Sequence, residues 1–168
     1  MADNNPKVVA DANWYVGEGV TDGVTDANTA LNVGGFGFGR VIKSVTFDDT
    51  DAAVPLFTVT GDVVVRVVAI CKTDLTSAAA GNVEVGIAGA TDAIIATTVA
   101  TAIDADEIWH DAAPDSDIEA ASIAGFAGFI ISGGADIILT PSAQIDTGVI
   151  AFYCLWTPLS ADGAVVAA

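Results

Sequence analysis

The sequence has very little positive charge. Five Lys and Arg residues stand against 22 Asp and Glu, which gives a formal net charge of −17 over 168 residues. A surface this acidic repels nucleic acid phosphates and anionic lipid headgroups. We therefore expect neither nucleic acid nor a membrane as a partner. The excess charge favours solubility, and a surface that meets a basic partner or divalent cations is the alternative.

Residues for covalent or metal chemistry are also scarce. Cys71 and Cys154 are the only cysteines and His110 is the only histidine, which supports neither a disulfide framework nor a zinc site. Both cysteines lie in apolar segments and are predicted to be buried thiols, while a single bridge between neighbouring strands stays open. No Gly-x-Ser-x-Gly elbow accompanies His110. We expect no cofactor and no enzymatic activity.

Long apolar runs are missing. The longest uncharged one, residues 120–135, contains four glycines and falls short of the roughly 20 residues that a membrane helix needs. The first residues lack a basic segment followed by an apolar core. This pattern predicts synthesis in the cytoplasm without a signal peptide.

Alanine dominates the apolar composition. Of the hydrophobic residues, 31 are Ala, which buries little area, so Val, Ile, Leu, Phe and Trp must form the core. Glycine is frequent, and few stretches carry the Glu and Lys typical of helices. The chain is long enough for one domain, built mainly from strands and turns.

The most informative stretch is residues 61–72, which is rich in Val. Successive strand side chains point to opposite faces, and a strand with one wet face should alternate apolar and polar residues. Here both faces are largely apolar, as they are again in residues 148–156. We expect these two strands to lie centrally and to be covered on both sides. The second cover is predicted to be a chain arm or another subunit.

About eight short strands with turn signals between them predict an all-β fold, an antiparallel β-sandwich of jelly-roll type. The sandwich is assigned to residues 40–160, after an extended Gly/Asn/Asp-rich arm over 1–39 and before a small-residue tail over 161–168. Gly61–Asp62 and Gly133–Gly134 are interpreted as hairpin turns.

Three weaker patterns have both a functional and an ordinary structural interpretation. Asp146-Thr-Gly148 resembles the aspartic protease signature, but only over three residues, and it is also a common turn into a strand. Acidic loops are weak calcium candidates through Asp104, Asp106, Asp115 and Asp117, although solvated loops are the favoured interpretation. Four aromatic residues could form a sugar-binding platform: Trp14, Tyr15, Trp109 and Trp156.

The whole-chain pattern resembles small structural proteins of tailed bacteriophage virions, above all head decoration and auxiliary capsid proteins, and next tail or fibre proteins. It shares their short acidic chain, Gly-rich arm and β-sandwich pattern, and the segment 107–114 is similar in kind. The resemblance implies a virion protein that forms homo-oligomers, such as trimers, and contacts the major capsid protein. The expected subunit interface comprises Trp14, Tyr15, Phe36, Phe38, Val64, Arg66, Val68 and Ile70. A carbohydrate-binding β-sandwich module on a virion or cell surface is the alternative.

Overall fold

The computed structural model of the protein describes residues 39–116 and 128–168. The strands are β1 (Gly39–Thr50), β2 (Val54–Thr60), β3 (Val63–Thr76), β4 (Asn82–Ile87), β5 (Ala90–Val99), β6 (Ile108–Trp109), β7 (Phe129–Ile131), β8 (Ile137–Pro141), β9 (Ile145–Pro158) and β10 (Ala164–Ala167). A single-turn 3₁₀ helix, Ala100–Ala102, follows β5. Within these two ranges, no helix has the length and apolar character needed to cross a membrane.

The strands form two antiparallel sheets that enclose one core. In the first sheet the order is β1-β9-β3-β6, with β7 also pairing with β3, and in the second it is β10-β2-β8-β4-β5. If β6 and β7 are counted as one strand and β10 is left out, the strand order of the two sheets is that of a jelly roll. The predicted all-β jelly-roll sandwich is confirmed, with ten strands in the described ranges where about eight were expected.

The pair β3–β9 forms the centre of the first sheet. Its register runs from Val63 opposite Pro158 to Thr76 opposite Thr147. Alternate residues of β3, from Val63 to Cys71, are buried, whereas the residues between them are half-buried. This confirms the predicted central position of both long strands. Their β-branched residues suit a strand with neighbours on both sides.

Both predicted hairpin turns are wrong. Gly61–Asp62 connects β2 in the second sheet to β3 in the first, and Gly133–Gly134 lies between β7 in the first sheet and β8 in the second. The glycines have positive φ, as tight turns require. A turn signal shows where a chain reverses but not which strands pair. In a jelly roll most consecutive strands belong to opposite sheets.

Three inter-sheet connections meet at one end of the sandwich, around Asp62. The carboxylate of Asp62 accepts hydrogen bonds from the Ser132 hydroxyl and from the Gly133 amide at 3.0 Å. Its own amide donates to Ser160 Oγ at 2.8 Å, and its carbonyl accepts from the Leu159 amide at 2.8 Å. The Ser132 hydrogen bond, followed by the Gly133 amide, lowers the pKa of Asp62 below its usual value of 3.8.

Asp62→Asn should therefore weaken the fold in a pH-dependent way. A depressed pKa stabilises the fold above the unfolded-state value, and this stabilisation is lost as the pH falls through the folded-state value. We expect the stability difference between wild type and variant to be full at pH 6 and to shrink below about pH 4. Urea unfolding between pH 3 and pH 7 measures this stability difference, and a variant at an exposed position, Asp92→Asn, is the control. A difference that is constant over this range would contradict the assignment.

The C-terminal residues are not a tail. Ala164–Ala167 form β10, which pairs with β2 from Thr60 to Phe57, and Val165 is buried. The Ala168 amide also donates to the Leu56 carbonyl at 3.1 Å. This corrects the predicted boundary at residue 160. Short alternation over four residues gave too weak a pattern to indicate a strand, but an unpaired edge of β2 offers it hydrogen bonds.

A buried tryptophan makes a polar contact within the core. Trp109 is fully buried, and its ring meets that of Phe152 edge to face at a centroid distance of 6.1 Å. Its indole N–H donates to Thr98 Oγ1 at 2.9 Å, and the Thr98 hydroxyl donates to the Ala96 carbonyl at 3.0 Å. Thr98 is the only buried polar or charged residue in the described ranges. It is buried because the indole nitrogen needs an acceptor there.

Thr98→Val should destabilise the fold by about 1–3 kcal/mol, because the buried indole N–H loses its acceptor while side-chain volume is kept. Chemical denaturation measures the loss. The neighbouring Thr97→Val is the matched control, since Thr97 is exposed and its hydroxyl donates to the half-buried Glu84 carboxylate. Equal stabilities of the two variants would show that the Trp109 contact contributes nothing.

Candidate interface on the first sheet

The outward side of the first sheet is largely apolar. On β3 it presents Val64, Arg66, Val68 and Ile70, all half-buried. The register places Thr157, Leu155, Tyr153 and Ala151 of β9 opposite them, in that order. Residues opposite one another in an antiparallel pair share a face. The sheet thus brings together the four β3 residues predicted from the sequence, together with β9 residues that widen the surface.

Two exposed isoleucines extend this surface on either side. Ile130 of β7 pairs with Val64 and is 72% exposed. Ile42 of β1 is 45% exposed and alternates with Val41, which packs against the core. We call the surface formed by Ile42, Val64, Arg66, Val68, Ile70, Ile130, Tyr153 and Leu155 the outer face. Ile42 and Ile130 are exposed and the residues between them are half-buried. A contiguous, mainly apolar surface of this kind is typical of an interaction site.

The outward side of the second sheet differs in chemistry. Thr58 and Thr60 of β2 are exposed there, and Thr97 of β5 bonds Glu84 of β4 across the surface. This is the usual wet side of an antiparallel sheet. Val166, opposite Thr58, and Val99 are exposed in the second sheet as well, so the two outward sides differ in degree, and the central strands of the first sheet form the more apolar one.

The basic residues follow the same division. Arg40, Lys43, Arg66 and Lys72 are all the Lys and Arg of the described ranges, and they belong to β1 and β3 of the first sheet. Arg66 lies at the centre of the outer face, close to Gly128, where a Cβ atom would come within 3.5 Å of its Nε. Lys43 lies on the inward side of β1, in phase with Val45, and its ammonium donates to the Ala168 carbonyl, so Arg66 is the basic residue of the outer face.

One end of the sandwich is rich in acidic residues, and we call it the acidic end. Hydrogen bonds join its connections: Gln144 Nε2 donates to Asp49 Oδ1 at 2.6 Å, and the Ala105 amide donates to Asp74 Oδ1 at 2.7 Å. Its acidic residues are Asp48, Asp49, Asp51, Asp74, Asp104, Asp106, Glu107 and Asp146. Exposed alanines stand among them: Ala52, Ala53, Ala78, Ala79, Ala80, Ala102 and Ala105.

Backbone strain is concentrated at the acidic end. Asp49, Ala80 and Asp106 have φ values of 50°, 53° and 69°, and they are the non-glycine residues of the described ranges in the left-handed region. Asp tolerates this conformation, whereas Ala has no side-chain hydrogen bond to offset its cost of about 1–2 kcal/mol. Ala80 is thus a strained residue at a turn where glycine would be the ordinary choice.

Ala80→Gly should accordingly raise the free energy of unfolding, by about 1 kcal/mol, against the usual tendency of glycine to destabilise. Thermal and urea unfolding measure the change. The neighbouring Ala79→Gly, at a residue without positive φ, is the control and should not stabilise. A destabilised Ala80→Gly variant would show that the strain is offset by contacts of the methyl group.

The calcium candidates do not converge. Within residues 39–116 and 128–168, no three His, Cys, Asp or Glu side chains are grouped so as to hold a metal ion. The Glu107 carboxylate accepts from the Asp104 amide at 2.8 Å, and Asp106 shapes a turn through its positive φ. Asp115 pairs through its backbone with Ile108 at 2.8 and 2.9 Å. Asp117 lies outside the described residues.

Three other candidates have structural roles. The Asp146 carboxylate accepts from the Ala78 amide at 2.7 Å, so Asp-Thr-Gly here anchors a turn. Trp109 is fully buried and offers no stacking surface to a sugar, and Trp156 packs against the core. Trp14 and Tyr15, like the other predicted arm anchors Phe36 and Phe38, lie outside the described residues.

The two thiols are free and buried. Cys71 lies opposite Ile150 and Cys154 opposite Val67, so four residues, about 13 Å, separate them along the strands, too far for a disulfide. Burial raises the pKa of Cys71 to about 11 and that of Cys154 to about 12. Neither is a nucleophile at neutral pH.

Some residues of the outer face escaped the sequence reasoning. Tyr153 and Leu155 could have been predicted from the sequence, because they alternate with buried residues in a strand that is apolar on both sides. Ile130 was not, since its hairpin was assigned to the wrong partner strand. Comparison with known proteins adds no assignment: no family model, no curated protein and no solved structure matches the chain.

Proposed function

We propose that this protein is a structural component of a virion, of the capsid decoration or auxiliary type found in tailed bacteriophages. It self-associates, with a trimer as the expected state, and stabilises the particle by contacts with other virion proteins such as the major capsid protein. The observation that carries this proposal is the apolar outer face on the two central strands of the first sheet. The proposed role involves no catalysis, cofactor, nucleic acid or membrane.

The jelly-roll fold is compatible with a structural role in a virion but is not specific to it. Jelly rolls occur in viral capsid proteins, and also in lectins and cupins. Function must therefore be argued from the surface. The two thiols are buried with raised pKa values, which does not favour a thiol-based reactive site. The outer face instead offers area for a protein partner.

Burial of the outer face would supply the binding free energy. Apolar surface removed from water contributes roughly 25 cal/mol per Å², from which the costs of association must be subtracted. A stable contact needs about 800 Å² from each partner. On a symmetric shell, many weak contacts act together, so that a modest single contact suffices.

Val68→Asp tests the surface, because it places a charge at the centre of the outer face while leaving the core unchanged. We expect the wild-type chain to be oligomeric at micromolar concentration and the variant to dissociate at least tenfold more readily. Sedimentation velocity measures both. Thr58→Asp, on the outward side of the second sheet, is the matched control and should assemble like wild type.

The virion role itself is tested by mass spectrometry of purified particles from the source. We expect the protein at roughly hundreds of copies per particle, as a symmetric shell requires. A chain that is monomeric at micromolar concentration and binds glycans on an array would instead support the carbohydrate-binding alternative.

A further inference from the structure

We infer that three copies of this protein pack their outer faces around a common three-fold axis, with the β1 flank of each face against the β7 flank of the next. This inference rests on the proposed self-association and specifies its contact. The first sheet has β1 on one side and β7 on the other, with β9 and β3 between them. The two flanks are therefore opposite sides of one surface in each copy.

The flanks are the most exposed apolar parts of the outer face. Ile130 of β7 is 72% exposed and Ile42 of β1 is 45% exposed, whereas the residues of β3 and β9 between them are half-buried. Each flank is thus a place where contact with another copy removes apolar surface from water. A contact between Ile42 of one copy and Ile130 of the next uses both places at once.

Charge favours the same surface. With a net charge of −17, two copies repel each other wherever their carboxylates approach. The segments that form the outer face contain no Asp or Glu: residues 39–47 of β1, 63–73 of β3, 129–131 of β7 and 148–158 of β9. Copies that meet through these segments keep their carboxylates apart.

The contact does not require Arg66 to find a counter-charge in another copy. Arg66 already has an interaction within its own chain, and its Nε is buried. Val64 and Val68 lie before and after it on the same side of β3, and Leu155 lies opposite it on β9. The contact therefore depends on the apolar side chains around Arg66 rather than on its charge.

The width of the sheet favours three copies. The strands β1, β9, β3 and β7, about 4.8 Å apart, make a surface about 19 Å wide. Three such surfaces around an axis lie about 5.5 Å from it, close to half of the ~10 Å that separates packed sheets. Four would lie about 9.5 Å from the axis and leave the apolar side chains around a channel of water. Since a contact between two different flanks closes into a ring, a ring of three buries the outer face most completely.

Cross-linking of cysteine variants of the full chain tests the contact. Ile42→Cys and Ile130→Cys are made separately and together, and the reagent is a bismaleimide too short to span the roughly 14 Å or more between the two positions of one copy. The native Cys71 and Cys154 are buried, with pKa values raised to about 11 and about 12, so they do not react. Neither single variant alone should cross-link. On a denaturing gel, their equal mixture should give covalent dimers and the double variant covalent trimers.

The matched control is Thr58→Cys with Thr97→Cys. These exposed residues belong to β2 and β5, which are likewise three strand spacings apart, but in the second sheet. The control variant should not cross-link between copies, and circular dichroism should show every variant folded.

The possible failures of this inference differ from those of the proposed function. Covalent dimers from Ile42→Cys or Ile130→Cys alone would make the contact two-fold, so the three-fold arrangement would be wrong while self-association through the outer face stands. Covalent species larger than trimers from the double variant would also overturn the ring of three. The flank contact is wrong if the mixture does not cross-link although sedimentation velocity shows an oligomer. A wild-type chain that is monomeric overturns both proposals.

Discussion

The antiparallel pairing of β3 with β9 is the constraint on which the rest of the structure depends. Both strands are apolar on both sides, so hydrophobic alternation alone specifies their register poorly. A register shift of one residue would bury the half-buried side chains of β3 in place of the buried valines, with little loss of buried apolar area. The same shift would also place Arg66 in the core. Burial of an unpaired charge is far more costly than exposure of a valine. Arg66 therefore determines which side of β3 faces inward.

This pairing also explains the different chemistry of the two sheets. The outward side of the second sheet mixes threonines with the exposed Val166, whereas the central strands of the first carry an apolar outward side with Arg66 at its centre. The three longest strands, β1, β3 and β9, all belong to the first sheet, so its outward side is built mainly from them. The proposed functional surface thus follows from the composition of two strands rather than from any local motif.

Much of the fold could be predicted from the sequence, and the wrong predictions have one physical origin. Strand positions such as Val54–Thr60 and the inward set of β3 follow from local alternation and β-branched composition. Pairing partners do not, because they depend on contacts between residues far apart in the chain. That is why Gly61–Asp62 and Gly133–Gly134 were interpreted as hairpins and why β10 was missed. For the same reason, Val64 to Ile70 could be predicted as a surface but Ile130 could not be added to it.

The order of the strands along the chain has a consequence for synthesis. Val67 pairs with Cys154, 154 − 67 = 87 residues later. At about 5–20 residues per second, β3 waits roughly 4–17 s on the ribosome before β9 is made. During this interval a strand that is apolar on both sides lacks its main partner. Nascent chains carrying β3 without β9 are thus the species most exposed to aggregation and to capture by chaperones, and Arg66 and Lys72 act there as the charged breaks in an otherwise apolar run.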